Sequence, residues 1–153
     1  MLNFNIWWLI PGQLGGMPVP MEEADFKKIK TCRVKAVVNL LVSFQNQNNY
    51  KKAGLEFLWL PIQDMTAPSL KQVIIFKDFI DEKLMEKKPV VVHCYAGQGR
   101  TGTMLASWLI LNGTKPKDAI IQVRLANPKT IENHLQEDFL IQLPNIINSA
   151  TIN

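Results

Sequence analysis

The chain has 153 residues, 47% of them hydrophobic and 20% charged, with a formal net charge of +4. That is the size and composition of one globular domain, taken here as 1–153, too apolar for disorder and long enough to bury a core. No apolar run approaches the roughly 20 residues of a membrane helix and the basic residues are scattered, so neither a membrane nor a nucleic acid is an expected partner.

The amino-terminal stretch has no basic region ahead of its apolar residues, so no secretory leader is expected. Two cysteines, Cys32 and Cys94, are too few for a disulfide framework. Both are expected free, Cys32 as buried packing, in a cytoplasmic monomer.

In chain order, Ile6–Ile10 is aromatic and β-branched, a strand ending at the turn signal Pro11-Gly12. Gln13–Pro20 follows as a short strand and loop. Its Gly15-Gly16 pair suggests a phosphate loop, but no Lys-Ser/Thr follows and turn geometry is the better explanation. Met21–Lys30 is a predicted helix, with acids early and lysines late. Lys35–Val42 is a buried strand, Asn46–Lys52 a short polar helix stopped by Gly54, and Leu55–Pro61 another strand. Asp64–Pro68 is a loop. Ser69–Lys87 has apolar residues at a helical period, with Asp78 and Asp81 expected on its solvated surface. Pro89–His93 is a strand and Gly99–Leu111 a helix closed by Asn112-Gly113. Thr114 is the expected cap of a helix from Pro116 to Ala126. A last helix is predicted from Ile131 to about Ile147, kinked or shortened at Pro144.

Strands alternating with helices predict an α/β domain: a central, mostly parallel sheet of four to five strands with helices on both faces. Ligands in such folds bind beyond the carboxyl ends of the strands.

Val90-Val91-Val92-His93-Cys94-Tyr95-Ala96-Gly97-Gln98-Gly99-Arg100-Thr101-Gly102 lies at such an end. A loop between a strand and a helix amino terminus can turn its backbone N–H groups inward, and the helix dipole favours an anion there. The backbone of Tyr95, Ala96, Gly97, Gln98 and Gly99 would supply that nest. Arg100 would add a planar fork matching two phosphate oxygens. A thiol held in such a field gives up its proton more readily, which makes Cys94 a candidate nucleophile. A lone cysteine at a strand end is otherwise a small core residue, but core packing does not ask for the neighbouring arginine. His93 is either a satisfied core histidine or a residue that positions the loop. Thr101 can cap the helix, donate to the sulfur of Cys94, or do both.

At His93-Cys94, Arg100-Thr101-Gly102 the chain resembles the protein tyrosine phosphatase superfamily. It is most similar there to the small atypical dual-specificity phosphatases and the small archaeal protein tyrosine phosphatases. The Trp-Leu-Ile-Pro-Gly-Gln-Leu-Gly-Gly opening, Thr103-Met104-Leu105-Ala106 and Ile131-Glu132 with Gln136 carry the resemblance over roughly residues 4 to 143. It implies a two-step hydrolysis of phosphate monoesters through phosphocysteine, without metal or other cofactor. It also implies a general acid about 30 positions before the cysteine, where Asp64 stands; a turn or cap residue is the other account of Asp64. The resemblance further implies a glutamine that orients the hydrolytic water. Glu132 stands at that position and Gln136 one turn on, which leaves open which of them serves, or whether Glu132 is simply a first-turn acid. Proteins or peptides carrying phosphotyrosine, with phosphoserine or phosphothreonine as further substrates, are the implied partners; phosphoinositides and RNA 5′-phosphates stay open. Trp7, Trp8, Trp59 and Tyr95 are candidates for the pocket rim, the first three equally for the core. A phosphoprotein-binding pseudoenzyme and a redox-sensing Cys32–Cys94 pair are the alternatives from other classes.

Overall fold

The computed structural model describes residues 3–43 and 46–152. Its elements run β1 (Trp7–Ile10), β2 (Leu14–Met17), α1 (Glu23–Thr31), β3 (Ala36–Asn39), α2 (Gln47–Lys52), β4 (Glu56–Trp59), α3 (Leu70–Met85), β5 (Val90–His93), α4 (Gly99–Leu111), α5 (Pro116–Ala126) and α6 (His134–Ile152). The strands form one sheet in the order β1-β2-β5-β3-β4. β1 pairs antiparallel with β2 through a hairpin, and every other pairing is parallel. The α/β expectation therefore holds, with five strands.

The central strands β3 and β5 are buried along their whole length, as the apolar runs Ala36–Val38 and Val90–Val92 require of parallel strands covered on both faces. The pleat divides them. Ala36, Val38, Val90 and Val92 join the cluster beneath α3, α4, α5 and α6. Val37 and Val91 face the other way, toward Ile29 of α1 and Tyr50 of α2. The carboxyl ends of β3, β4 and β5 consequently open onto one edge of the molecule, where the connecting loops gather.

Several sequence expectations are corrected. Gly15 and Gly16 lie in β2, not in a turn; the turn is Pro11–Gln13, with Gln13 N–H bonded to the Ile10 carbonyl at 2.9 Å. Cys32 closes α1 and is exposed rather than buried. Asp81 is not simply solvated: it pairs with Lys77 one turn away and accepts from the Trp108 indole at 2.8 Å, tying α3 to α4. Lys115, not Thr114, precedes Pro116 at the cap of α5. α6 starts at His134, because Ile131 adopts a left-handed φ of 57° and breaks the helical path. It runs through Pro144, where Leu140 and Leu143 hold it in the core.

Candidate active site

β5 ends at His93, and Cys94 is the next residue, buried at the mouth of the loop that leads into α4. The amino-terminal turn of α4 contains Arg100 and Thr101, both buried. One turn of loop thus places the thiol, the guanidinium and the positive end of a 13-residue helix together.

Three loop carbonyls are tied to surrounding structure. The Cys94 carbonyl accepts from Nδ1 of His93 at 3.0 Å, the Tyr95 carbonyl from Val19 N–H at 2.9 Å, and the Gly97 carbonyl from the Trp7 indole at 3.0 Å. In a trans peptide the C=O and the following N–H point in opposite directions. Turning those carbonyls outward therefore turns the amides of Tyr95, Ala96 and Gln98 toward the inside of the loop. Gly97 has φ +73°, and a Cβ there would stand 2.3 Å from the Met17 carbonyl, so the loop can close against β2 only with glycine.

Arg100 donates through Nη1 to the Ile62 carbonyl at 3.0 Å, and its Nη2 lies 3.4 Å from Oδ1 of Asp64. Its Nε is buried and makes no hydrogen bond among the described residues. Asp64 is exposed, after β4, in a loop that folds over the arginine. The hydroxyl of Thr101 donates to the sulfur of Cys94 at 3.2 Å. Gln98 holds the cap position and Thr101 is the third helical residue, so its hydroxyl serves the sulfur rather than capping.

Glu132 lies before α6, which removes the account of it as a first-turn acid. Its Oε1 accepts from Gly99 N–H at 2.9 Å, and a Cβ on Gly99 would be 2.6 Å from that oxygen. Gln136 is buried; its Oε1 accepts from Glu132 N–H at 2.9 Å and its Nε2 reaches the Thr66 carbonyl at 3.5 Å. Asn133 caps α6 by accepting from Gln136 N–H and donates through Nδ2 to the Met65 carbonyl at 3.0 Å. The start of α6 thereby holds the Asp64 loop and brings Glu132 to the cysteine loop.

His93 is fully buried. A carbonyl can only accept, so Nδ1 carries the proton toward Cys94, and Nε2 accepts from the hydroxyl of Tyr50. Burial pushes the imidazole down to about 4, the bond to the Cys94 carbonyl opposing and the nearby Arg100 charge assisting. Burial also pushes the Tyr50 phenol up, keeping it a donor. Sequence reasoning missed Tyr50; its one signal was an aromatic ring in the otherwise polar segment Gln47–Lys52. Of the rim candidates, Tyr95 is exposed on the loop, while Trp8 is half-buried against the apolar cluster that holds Ile29 of α1 and Tyr50 of α2. Trp59 is partly exposed at the end of β4, its indole donating to the Leu41 carbonyl at 2.7 Å.

A family model described as "polymorphic toxin system, DSP-PTPase phosphatase" matches residues 15–114, more than half of the chain. The crystal structure of Tk-PTP in its active form superposes with a TM-score of 0.84 at 29% identity, covering 92% of this chain and 96% of that one. An uncharacterized protein of Methanocaldococcus jannaschii is 38% identical over 85 residues, 56% of this chain and 53% of that protein. Tyrosine-protein phosphatase cdc-14 of Caenorhabditis elegans is 27% identical over 154 residues, 92% of this chain but 21% of that protein. The chain thus spans about half or less of the length of these curated relatives.

Proposed function

The chain belongs to the DSP-PTPase phosphatase family, and we propose that it is a cysteine-dependent phosphatase acting on phosphotyrosine in proteins or peptides. The observation that carries this reading is the state of Arg100. A buried guanidinium donor without a partner costs roughly 1–3 kcal/mol, and packing offers no return for it. Nη1 is held by Ile62 and Nη2 lies 3.4 Å from the exposed Asp64 carboxylate, so Nε is the unpartnered donor, on the edge that fits two oxygens of a phosphoryl group.

In the first step the Cys94 thiolate attacks phosphorus, an S–P bond forms, and the bond to the leaving oxygen breaks. The inward amides and Arg100 hold the three equatorial phosphoryl oxygens, over which negative charge is spread in the transition state. Asp64 gives its proton to the leaving oxygen. In the second step water attacks phosphorus, Asp64 takes its proton, and the S–P bond breaks with Thr101 donating to the departing sulfur. Glu132, rather than Gln136, guides the water: its carboxylate already reaches the loop, whereas both ends of the Gln136 amide are engaged. The reading uses no metal or cofactor. It extends to phosphoserine and phosphothreonine as secondary substrates and to a monomer working in the cytoplasm, where two free thiols are kept reduced.

Rapid quenching during turnover of a radiolabelled phosphotyrosyl peptide tests it. The expected result is label on Cys94 at partial occupancy, lost on chase with unlabelled substrate. Turnover at full rate with no label on any cysteine contradicts it. Faster hydrolysis of phosphoinositide vesicles than of the peptide would keep the chemistry and replace the substrate class.

A further inference from the structure

We propose that Trp7 is a positioning residue for the phosphate cradle, its indole N–H locking the Gly97–Gln98 peptide with the Gln98 amide turned inward. The inference rests on the phosphatase reading above. Trp7 lies in the edge strand β1, 90 residues from the loop in sequence, and its Nε1 donates to the Gly97 carbonyl at 3.0 Å.

The lock has a specific object. Of the three outward carbonyls, that of Cys94 is held by the adjoining His93 ring and that of Tyr95 by a backbone N–H. The Gly97 carbonyl is held by a side chain from a different element. Rotating the Gly97–Gln98 peptide turns ψ of Gly97, and a residue without Cβ restricts that rotation least. The orientation of this peptide therefore depends on the indole that holds its carbonyl. Rotated, it would aim a carbonyl dipole at the phosphoryl oxygens in place of an N–H.

A second observation shows the hairpin shaped around this contact. The indole crosses β2 directly over Gly16: a Cβ there would lie 2.5 Å from the Trp7 ring and 2.8 Å from Nε1. A glycine in a strand interior weakens the strand and often marks a close approach. Here the approach is the one that lets the indole span from β1 to the loop. The Gly15-Gly16 pair therefore serves the phosphate cradle indirectly, by making room for the ring that holds it.

The test measures binding of inorganic phosphate and steady-state hydrolysis of para-nitrophenyl phosphate by wild type, Trp7→Phe, Gly16→Ala and the double variant. Thermal unfolding is followed in parallel. Trp7→Phe keeps a ring and removes the donor, so phosphate binding should weaken about three- to tenfold, the worth of one hydrogen bond. The Gln98 amide signal, which should shift on phosphate addition in the wild type, should stop responding. Gly16→Ala should give the same loss by displacing the indole, and little further loss in the Trp7→Phe background. If Trp7→Phe does not fold, the benzothienyl analogue of tryptophan at position 7, which replaces N–H by sulfur in the same ring shape, takes its place. A lowered melting temperature with unchanged phosphate affinity and an unchanged Gln98 response overturns the proposal and leaves the phosphatase reading intact. Failure of the wild type itself to bind phosphate and turn over overturns both.

Discussion

The hydroxyl of Tyr50 donates to Nε2 of His93, whose Nδ1 donates in turn to the carbonyl of Cys94. A residue on α2 thus fixes the ring tautomer of the histidine that orients the nucleophile's own peptide. Tyr50→Phe keeps the contacts of the ring with Phe26 and Phe57 but leaves Nε2 buried without a donor. Urea denaturation should show a loss of about 1–3 kcal/mol. Turnover should fall as well, because the imidazole is free to take the other tautomer and release the Cys94 carbonyl.

The same histidine sets a pH dependence. Its folded value, lowered by burial to about 4, lies below the ordinary 6.5. Between those values the unfolded chain binds a proton that the native state refuses, so stability rises with pH across this window and levels off above it. The span corresponds to roughly 3 kcal/mol. Denaturant midpoints measured from pH 4 to 7 should rise accordingly, and His93→Asn should flatten the rise.

Thr101→Val removes the donor to sulfur while keeping the shape of the side chain. Breakdown of the phosphocysteine should slow about ten- to a hundredfold, as befits a hydrogen bond to a charged group. Phosphate affinity should hardly change, and Thr101→Ser should restore most of the rate. Single-turnover and steady-state rates measured together separate the two steps.

Asp64→Asn should cost about a hundredfold or more with a phosphotyrosyl peptide, within the range for a general acid. The loss should be smaller with para-nitrophenyl phosphate, whose leaving group needs little protonation. Equal losses on both substrates would assign Asp64 to holding Arg100, 3.4 Å away, instead of to proton transfer.

The strand–loop–helix carrying Cys94 and Arg100 was legible because each of its residue types answers a local demand: apolar for a buried strand, glycine for close approach, cation for an anion. The central strands were legible for the same reason. What stayed hidden depends on contacts far apart in sequence. Tyr50 reaches His93 across 43 residues, and nothing in a six-residue polar helix announces the partner. Gly16 looks like a turn glycine until the Trp7 ring is seen lying over it. The start of α6 was misplaced because a buried isoleucine with left-handed φ has no sequence signature; Arg124 stabilises that bend by donating to the Ile131 carbonyl at 2.9 Å. That bend sets Glu132 ahead of the helix, where its carboxylate accepts from Gly99 N–H.

The most direct test of the central claim is phosphate release from para-nitrophenyl phosphate by wild type and Cys94→Ser, both with a chelator present. The account predicts turnover by the wild type and none above background for Cys94→Ser, which should still bind inorganic phosphate through the loop amides and Arg100. Activity of Cys94→Ser close to that of the wild type would contradict it, because the phosphoryl group would then never have passed through that sulfur.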